Sequence, residues 1–424
     1  MDRVAKKNER EIALDVLTDI FYGGAYNNLA LNKALEGAAE TARPAITEMV
    51  NGVLRNYIFL DYTLSQFTKI SKTKPVVLCL LRLSAYQIIF MKTPDYAVCN
   101  EAVAIAKKRG LGGLSGFVNG TLRNVARGHD DVKLPTSEIQ FLSVKHSCPE
   151  WIVRRFLTQF GRKKTEQSLE VNSTAPNVTI RVNTLKTSIA ALRAMLEAEG
   201  ATVENGRFDS DCLHISKVAI AGLQAFKDGL FHVQDESAAL PVIMANPQPG
   251  NTIIDLCAAP GGKSFTAAYL TQDLAQITAY DIFEHKIGLI EQGIARLGLN
   301  SIKTAISDAT VFKPELEGSA DIVLLDAPCS GLGLLRKKPD IRLTKTEEHI
   351  AELAQLQQKM ATVAWRYAKP GGTLVYSTCT LTRDENEDMA EWMAKNLPLK
   401  LVEMRTVLPS DFGTDGFFAA KFVI

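Results

Sequence analysis

The sequence predicts a multidomain protein with an all-helical N-terminal domain, a small α+β subdomain and a C-terminal α/β domain. Apolar residues recur at helical spacing through residues 1–130, whereas short apolar runs alternate with helical stretches from residue 252 onward. The chain has 424 residues, of which 46% are hydrophobic and 22% charged, as is typical of folded globular proteins. We place the domains at 1–130, 140–245 and 246–424.

The first domain is predicted from apolar stripes on helix faces. One stripe consists of Val16, Leu17, Ile20 and Phe21, and similar stripes follow through 81–90 and 102–106. The longest apolar stretch, 75–91, contains Arg82 and therefore reads as a buried helix rather than a membrane span.

Charge is distributed unevenly along the chain. The net charge is +5 over residues 1–130 and −4 over the remaining 294 residues, although the whole chain is nearly neutral at +1. Basic side chains near the end of the first domain are candidates for contacts with RNA phosphates: Lys107, Lys108, Arg109 and Arg123. A solvated helix face is the alternative for each of these charges.

Cysteine usage and the N-terminus bear on the compartment. The seven cysteines are scattered without a CxxC pair, which fits neither a disulfide framework nor a zinc site. The chain begins with charged residues and lacks the apolar core of a signal peptide. We expect a cytoplasmic protein that binds no metal, does not enter a membrane and is monomeric.

The later elements are predicted in order along the chain. After a linker at 128–131, the subdomain contains helices at 151–160 and 189–198 and strands at 178–182, 212–215 and 231–233. The last domain contains strands at 252–256, 277–280, 302–306, 321–325 and 373–377, with helices at 285–297 and 347–367 among them. Such βα alternation predicts a buried parallel sheet, which binds ligands at the carboxyl ends of its strands.

A string of small residues, 255–264, follows the first strand of that sheet. Its backbone amides and the start of the next helix can approach a ligand closely, but it matches neither GxxxxGK[ST] nor GxGxxG. Asp281 and Asp308 follow the second and third strands, where a carboxylate can accept the hydroxyls of a ribose. With Asp255, they suit an adenosine lying across the sheet, although each acid alone could be a turn or N-cap residue.

Two cysteines follow two further strands. Cys329 lies in the string Asp326–Gly331, and Cys379 lies in Ser377–Thr380. We expect both side chains to face the same crevice, beside a carboxylate and a lysine, where a thiolate becomes accessible. No histidine lies near either string, so a cysteine protease is disfavoured; the residues alone do not show which cysteine is the nucleophile.

These strings together resemble the Fmu/Sun (RsmB) family of ribosomal RNA cytosine-5 methyltransferases. The matching strings are DLCAAPGGKS, DAPCSGLG followed by RKKPDIR, and STCT. Upstream, RLSAYQIIFM, NEAVAIAKKRG and GFVNGTLRNVAR resemble the RNA-binding domain shared with the antitermination factor NusB, and RVNTLK and HVQDESAAL resemble the family's small subdomain. The resemblance thus covers essentially the full chain and implies a NusB-like domain, the α+β subdomain and a Rossmann-like class I methyltransferase domain.

The resemblance also implies a cofactor site for S-adenosylmethionine. Asp281 would bind the ribose, Asp308 the adenine, and Asp326 would lie between cofactor and base. The remaining cofactor-binding residues are the seven of the loop: Cys257, Ala258, Ala259, Pro260, Gly261, Gly262 and Lys263.

The catalytic residues implied by the family are Cys379, Cys329, Asp326 and Lys263. Cys379 corresponds to the nucleophile and Cys329 to the cysteine that helps product release. Thr380 stands where many relatives have serine, and Leu343 where they have an aromatic residue. The implied substrate is 16S ribosomal RNA or a small-subunit precursor, with an unpaired or flipped cytosine.

Three alternatives differ in substrate or class. Another RNA, such as a transfer RNA, could be the substrate. A non-catalytic RNA-binding or assembly factor would have no need of two cysteines in a cofactor crevice. A cysteine-dependent oxidoreductase is disfavoured because GxGxxG and CxxC are both absent.

Overall fold

The computed structural model describes residues 7–424; the charged first six residues lie outside the described part of the chain. The described residues form two compact units. The first contains residues 7–175 and the segment 335–344, and the second contains 176–334 and 345–424. The predicted boundaries at 130, 140 and 245 stay predictions, since this division follows packing rather than domain type.

The first unit is helical, as predicted. Its helices are α1 (Glu9–Gly23), α2 (Asn27–Glu36), α3 (Arg43–Ser65), α4 (Pro75–Ile89), α5 (Asp95–Lys108), α6 (Ser115–Gly128), α7 (Glu138–His146) and α8 (Glu150–Asn172). The Asn8 side chain accepts a hydrogen bond from the backbone of Glu11, which starts α1 with a capping box. In α8, Gly161 adopts φ 72° and interrupts the helical geometry.

The apolar stretch over α4 is a buried helix of this unit. Almost all of α4 is buried, and Arg82 forms an ion pair with Asp61 at 2.7 Å while its guanidinium lies over the Phe21 ring. The charge that argued against a membrane span therefore has partners inside the helical core. No helix in residues 7–424 has both the length and the apolar character needed to cross a membrane.

The segment 335–344 carries the RKKPDIR string into the first unit and includes helix α14 (Ile341–Thr344). The buried Arg342 side chain donates hydrogen bonds to the carbonyl oxygens of Ser147, Leu335 and Asn172 at 3.0, 2.5 and 3.1 Å. Leu343 packs against the helical core of this unit. The string thus has a structural role within this unit.

The second unit begins with a four-stranded antiparallel sheet in the order β2-β3-β1-β4. Its elements are β1 (Val178–Val182), α9 (Ile189–Ala198), β2 (Thr202–Asn205), β3 (Cys212–Ser216), α10 (Gln224–Lys227) and β4 (Phe231–Val233). The predicted α+β character is confirmed. The edge strand β2 was not predicted. Val203 is its only buried residue, so the alternation of apolar and polar residues that indicates a strand is too short to recognise.

A seven-stranded sheet follows, with the order β10-β11-β9-β8-β5-β6-β7. Its elements are α11 (Leu240–Ala245), β5 (Thr252–Asp255), α12 (Gly262–Leu270), β6 (Gln276–Asp281), α13 (Glu284–Leu297), β7 (Ile302–Ile306), β8 (Ala320–Asp326), α15 (Glu347–Ala364), β9 (Ala368–Thr378), α16 (Glu387–Asn396), β10 (Lys400–Val407), α17 (Pro409–Phe412) and β11 (Phe417–Val423). All five strands predicted here are confirmed.

The predicted parallel sheet is present, and two further strands extend it in antiparallel pairing. The strands β5 to β9 pair in parallel, but β11 pairs antiparallel with β9 and β10 pairs antiparallel with β11. Strand β10 is a largely exposed edge, while β11 is a nearly continuous buried apolar run. Neither strand belongs to the strand–helix alternation from which the other strands were predicted, so neither was predicted. They add a hairpin beside β9, whose end carries Cys379.

Candidate active site

The predicted catalytic residues come together where β5, β8 and β9 end. Asp326 is the last residue of β8, and it pairs in register with Ser377 of the parallel neighbour β9. Lys263 lies in the first turn of α12, which follows β5. Because parallel neighbours end on the same edge of a sheet, the loops after these strands share one crevice.

The two cysteines face each other, as expected. Cys329 Sγ and Cys379 Sγ are 3.3 Å apart, and both residues are partly exposed. Their loops are held side by side by a hydrogen bond of 2.7 Å between the Ser330 and Thr380 hydroxyls. The Gly333 amide donates to the Cys379 carbonyl at 3.1 Å, which holds the two loops together on the other side.

An ion pair lies beside the thiols. Lys263 Nζ is 2.6 Å from Asp326 Oδ2, and the Ser377 hydroxyl donates to Asp326 Oδ1 at 2.8 Å. Burial by itself would lower the pKa of Lys263, but the negative charges of Asp326, Asp255 and Cys379 outweigh burial and raise this pKa. Lys263 is therefore a permanent cation in this crevice.

The surroundings of the Cys329 thiol disfavour its ionisation. The hydrogen bond to Cys379, burial and the nearby carboxylates all raise the pKa of Cys329 well above that of an ordinary thiol. A protonated Cys329 can donate to the Cys379 sulfur, which lies 3.3 Å away and interacts electrostatically with Lys263.

A buried carboxylate, Glu385, organises the cysteine loops and was missed by sequence reasoning. It accepts hydrogen bonds from the Ser330 amide and hydroxyl at 2.8 and 2.5 Å and from the Thr382 hydroxyl at 2.7 Å. Gln357 of α15 donates to it at 3.1 Å. Its only sequence signal is an acid shortly after STCT, and the run of acids in DENED hides it.

The small-residue loop has the geometry expected of a ligand cradle. Gly261 adopts φ 107°, and a Cβ atom there would lie 2.4 Å from the Phe265 ring. A Cβ atom on Gly262 would lie 3.1 Å from the side-chain nitrogen of Gln234. Gln234 also accepts from Thr266 at 2.9 Å, which braces the start of α12. The loop therefore needs glycine at position 261, whereas a Cβ atom at position 262 would only crowd the Gln234 side chain. Helix α12 begins at Gly262, with its amide end directed at the loop.

The three strand-end acids differ in their burial and in their hydrogen bonds. Asp281 is at the end of β6, and Asp308 follows β7 and accepts from the Thr310 amide and hydroxyl in a turn. Asp255 is fully buried, receives the Ser264 hydroxyl at 2.7 Å, and burial raises its pKa to about 6. Asp255 thus accepts a buried hydrogen bond beside the Lys263–Asp326 pair, and its part in binding an adenosine with the other two acids stays a prediction.

Two apolar side chains beside Asp281 were not predicted as part of the site. Ile282 and Phe283 are each about half exposed, 49% and 50%, directly after the carboxylate. Exposed apolar residues at a strand end offer a surface for a planar ring. The sequence signal was their position immediately after a strand-end acid.

The predicted phosphate-binding cations of the first unit divide into two groups. Lys108 forms an ion pair with Glu11 at 2.8 Å, and Arg109 forms one with Asp15 at 2.6 Å, so both connect the end of α5 to α1. Lys107 and Arg123 are exposed. Contacts of all four residues with phosphate stay predictions, and the ion pairs make Lys107 and Arg123 the more available of them.

A buried histidine behind α12 makes stability sensitive to acid. His232 packs against Phe265 and Tyr269, and burial, reinforced by the charges of Arg181 and Arg296, lowers its pKa to about 3. The unfolded chain therefore binds a proton below pH 6.5 that the folded chain does not accept.

Stability should accordingly fall as the pH is lowered from 6.5 toward 3. Relative to a His232→Gln variant, the wild type is expected to lose about 2 kcal/mol of unfolding free energy between pH 8 and pH 5. Urea unfolding at the two pH values measures this loss, with His285→Gln, which changes an exposed histidine, as the control. Equal pH dependence in the wild type and the His232 variant would contradict the assignment.

Three parts of the chain match known families. Residues 242–423 match the family described as 16S rRNA methyltransferase RsmB/F, and residues 7–127 match the NusB family. Residues 148–220 match the ferredoxin-like domain of RsmF/B-like methyltransferases. These matches confirm the predicted sequence of domain types along the chain.

Relatives match over the full length. The probable ribosomal RNA small subunit methyltransferase B of Bacillus subtilis (strain 168) is 38% identical and covers 97% of this chain and 98% of its own. The ribosomal RNA small subunit methyltransferase B of Photorhabdus laumondii is 30% identical, with 98% of both chains covered.

Solved structures share the fold. The crystal structure of PH0851 has a TM-score of 0.81 at 25% identity and covers 98% of this chain and 99% of its own. A methyltransferase homolog protein from Pyrococcus horikoshii has a TM-score of 0.60 at 26% identity, covering 68% of this chain and 99% of its own.

Proposed function

Because the chain belongs to the RsmB/F family of S-adenosylmethionine-dependent ribosomal RNA methyltransferases, we propose that it methylates carbon 5 of a cytosine in 16S ribosomal RNA. One observation carries the choice of carbon 5: two strand-end thiols, Cys329 and Cys379, lie 3.3 Å apart beside the Lys263–Asp326 ion pair. Methyl transfer to an exocyclic amine or a ribose hydroxyl has no need of a thiol nucleophile, whereas transfer to carbon 5 does.

The thiolate of Cys379 solves the problem that carbon 5 of cytosine is a weak nucleophile. Its addition to carbon 6 forms an S–C6 bond and turns the C5–C6 double bond into a single bond. The displaced electron pair makes an enamine across C4 and C5, whose nucleophilic carbon 5 can attack a methyl group. S-adenosylmethionine, when bound, supplies that methyl group from an electrophilic sulfonium. Loss of the carbon 5 proton then allows the Cys379 thiolate to leave.

Asp326 and Lys263 would serve the base as charge develops on it. In this proposal, Asp326 binds the Watson–Crick edge of the cytosine and favours protonation at N3. Lys263 balances the negative charge of Asp326 and stabilises the thiolate form of Cys379. Cys329, which holds its proton, donates a hydrogen bond to the sulfur that departs from carbon 6.

The residues present fit the methyl donor. In the cradle formed by Cys257 to Lys263, a side chain at Gly261 would overlap the Phe265 ring and one at Gly262 would crowd Gln234. With glycine at both positions, the loop offers backbone amides to the ligand. In this proposal Asp281 accepts the ribose hydroxyls, Asp308 lies toward the adenine, and Ile282 and Phe283 provide the apolar surface beside its ring. Among the described residues, no cluster of His, Cys, Asp and Glu is suited to hold a metal ion.

The RNA is proposed to meet the helical first unit through exposed cations, chiefly Lys107 and Arg123. A cytosine inside a duplex shields both faces of its ring, so the target must be unpaired or flipped out. We also propose that the protein acts in the cytoplasm as a monomer on the small-subunit RNA or its precursor.

Transfer of labelled methyl from S-adenosylmethionine to unmodified 16S ribosomal RNA tests the proposal. We expect label to appear as 5-methylcytidine after nuclease digestion, whereas fully modified 16S RNA should accept none. Label on transfer RNA but not on 16S RNA would replace the proposed substrate. Label at an exocyclic amine or a ribose hydroxyl, rather than at carbon 5, would contradict the role of the thiols.

A further inference from the structure

The distance between the two active-site sulfurs has a consequence beyond methyl transfer. Cys329 Sγ and Cys379 Sγ already touch at 3.3 Å, and three sets of hydrogen bonds hold their loops in this position: Ser330 to Thr380, Gly333 to Cys379, and Glu385 to Ser330 and Thr382. Rotation of two side chains would bring the sulfurs into bonding distance without separating the loops.

We propose that Cys329 and Cys379 form a reversible intramolecular disulfide when the protein meets a hydroperoxide, which makes this pair an oxidative modification site. The reactants are the two thiols and one molecule of hydrogen peroxide or an organic hydroperoxide. The activity consequence, loss of the nucleophile, rests on the proposed function, whereas the disulfide itself does not.

The chemistry proceeds in two balanced steps. The Cys379 thiolate attacks the terminal peroxide oxygen, the O–O bond breaks, and Cys379 becomes a sulfenic acid. Hydrogen peroxide thereby releases hydroxide, which is protonated to water, and an organic hydroperoxide releases an alkoxide, which is protonated to an alcohol. The Cys329 sulfur then displaces the sulfenic hydroxyl, its own proton going to that hydroxyl, so that an S–S bond forms and water leaves. Two electrons pass from the thiol pair to the peroxide, and a dithiol reductant reverses the change.

The environment selects this pair from the seven cysteines. The two sulfurs are 3.3 Å apart, the pair is partly exposed, and the Lys263 cation lies close enough to Cys379 to interact with it electrostatically. Four of the others are fully buried, and burial raises the pKa of each of their thiols: Cys79, Cys99, Cys148 and Cys212. Cys257 is partly exposed, but burial of its thiol and the nearby carboxylates raise its pKa as well.

Peptide mapping after peroxide treatment tests the proposal on the full chain. The reduced protein is exposed to equimolar hydrogen peroxide, its remaining thiols are alkylated after denaturation, and it is digested with trypsin. We expect five of the seven cysteines to be alkylated and one linked pair of peptides, 304–336 and 367–383, which contain Cys329 and Cys379. Dithiothreitol should restore seven alkylated cysteines.

Variants separate this proposal from general oxidation. Cys99→Ser, which removes a buried cysteine, should form the same linked peptides, whereas Cys329→Ser should form none and should carry Cys379 as sulfenic or sulfinic acid instead. Peroxide should abolish methyl transfer by the wild type, and dithiothreitol should restore it; the same recovery is not expected once Cys379 of the Cys329 variant is over-oxidised.

Two results would overturn the proposal that Cys329 and Cys379 form a disulfide. One is alkylation of all seven cysteines after equimolar peroxide; the other is linkage scattered among other pairs. Failure of the proposed function would give a different result. The linked peptides would form as expected, but neither the reduced nor the oxidised protein would transfer methyl groups to RNA.

Discussion

Replacement of Cys379 by alanine is expected to lower methyl transfer to 16S RNA by at least about 10³-fold, because this variant lacks the proposed nucleophile that adds to carbon 6 of the cytosine. Binding of S-adenosylmethionine should be unchanged, since the cradle is made by the loop after β5 and not by this side chain. Labelled-methyl transfer measures the first quantity, and titration calorimetry with S-adenosylmethionine measures the second.

The Cys99→Ser variant provides the matched control, since it changes a buried cysteine of α5 that is remote in sequence from every strand-end string. Its methyl transfer should equal that of the wild type. Activity of the Cys379→Ala variant above one tenth of the wild-type rate would show that Cys379 is not the nucleophile.

Replacement of Cys329 by alanine is expected to trap a covalent complex between the protein and its RNA. The Cys329 thiol is 3.3 Å from the Cys379 sulfur and keeps its proton, so it can stabilise that sulfur as it leaves carbon 6. Without this donor, elimination should slow by about 10²-fold while addition and methylation continue. The adduct should appear as a band of reduced mobility on a denaturing gel, and nuclease should remove it.

The double variant Cys329→Ala with Cys379→Ala controls for non-specific crosslinking and should show no such band. An adduct that forms in Cys379→Ala, and not in Cys329→Ala, would keep the reaction but exchange the roles of the two cysteines. The residues themselves allow either assignment; the family resemblance and the proton on Cys329 favour Cys379.

Much of the fold was predictable because its signals are local. The five parallel strands are short apolar runs between helical stretches, and α1 has an apolar stripe along one face. The hairpin of β10 and β11 lacks this local pattern of short apolar runs between helices. One of its strands is an exposed edge, and the other is buried along its length. Its place in the sheet depends on pairing with β9, which no local pattern encodes.

Some residues of the candidate site were likewise predictable from local sequence, and others were not. Cys329, Cys379, Asp326 and Lys263 could be found from the sequence, since each follows a strand whose carboxyl end faces the ligand edge. Asp255 carried the same signal, yet its side chain is fully buried and accepts a hydrogen bond from Ser264. Glu385 carried almost no signal, although it accepts four hydrogen bonds around the cysteine loops.

The sequence by itself determined the family, the order of the domains and the residue types of the chemistry, because strings such as DLCAAPGGKS and STCT combine a strand end with reactive groups. Only the tertiary structure decided that the two sulfurs touch, that Cys329 keeps the proton, and that Lys108 and Arg109 pair with carboxylates of α1. These properties depend on distances and burial, which arise when segments far apart in the chain pack together.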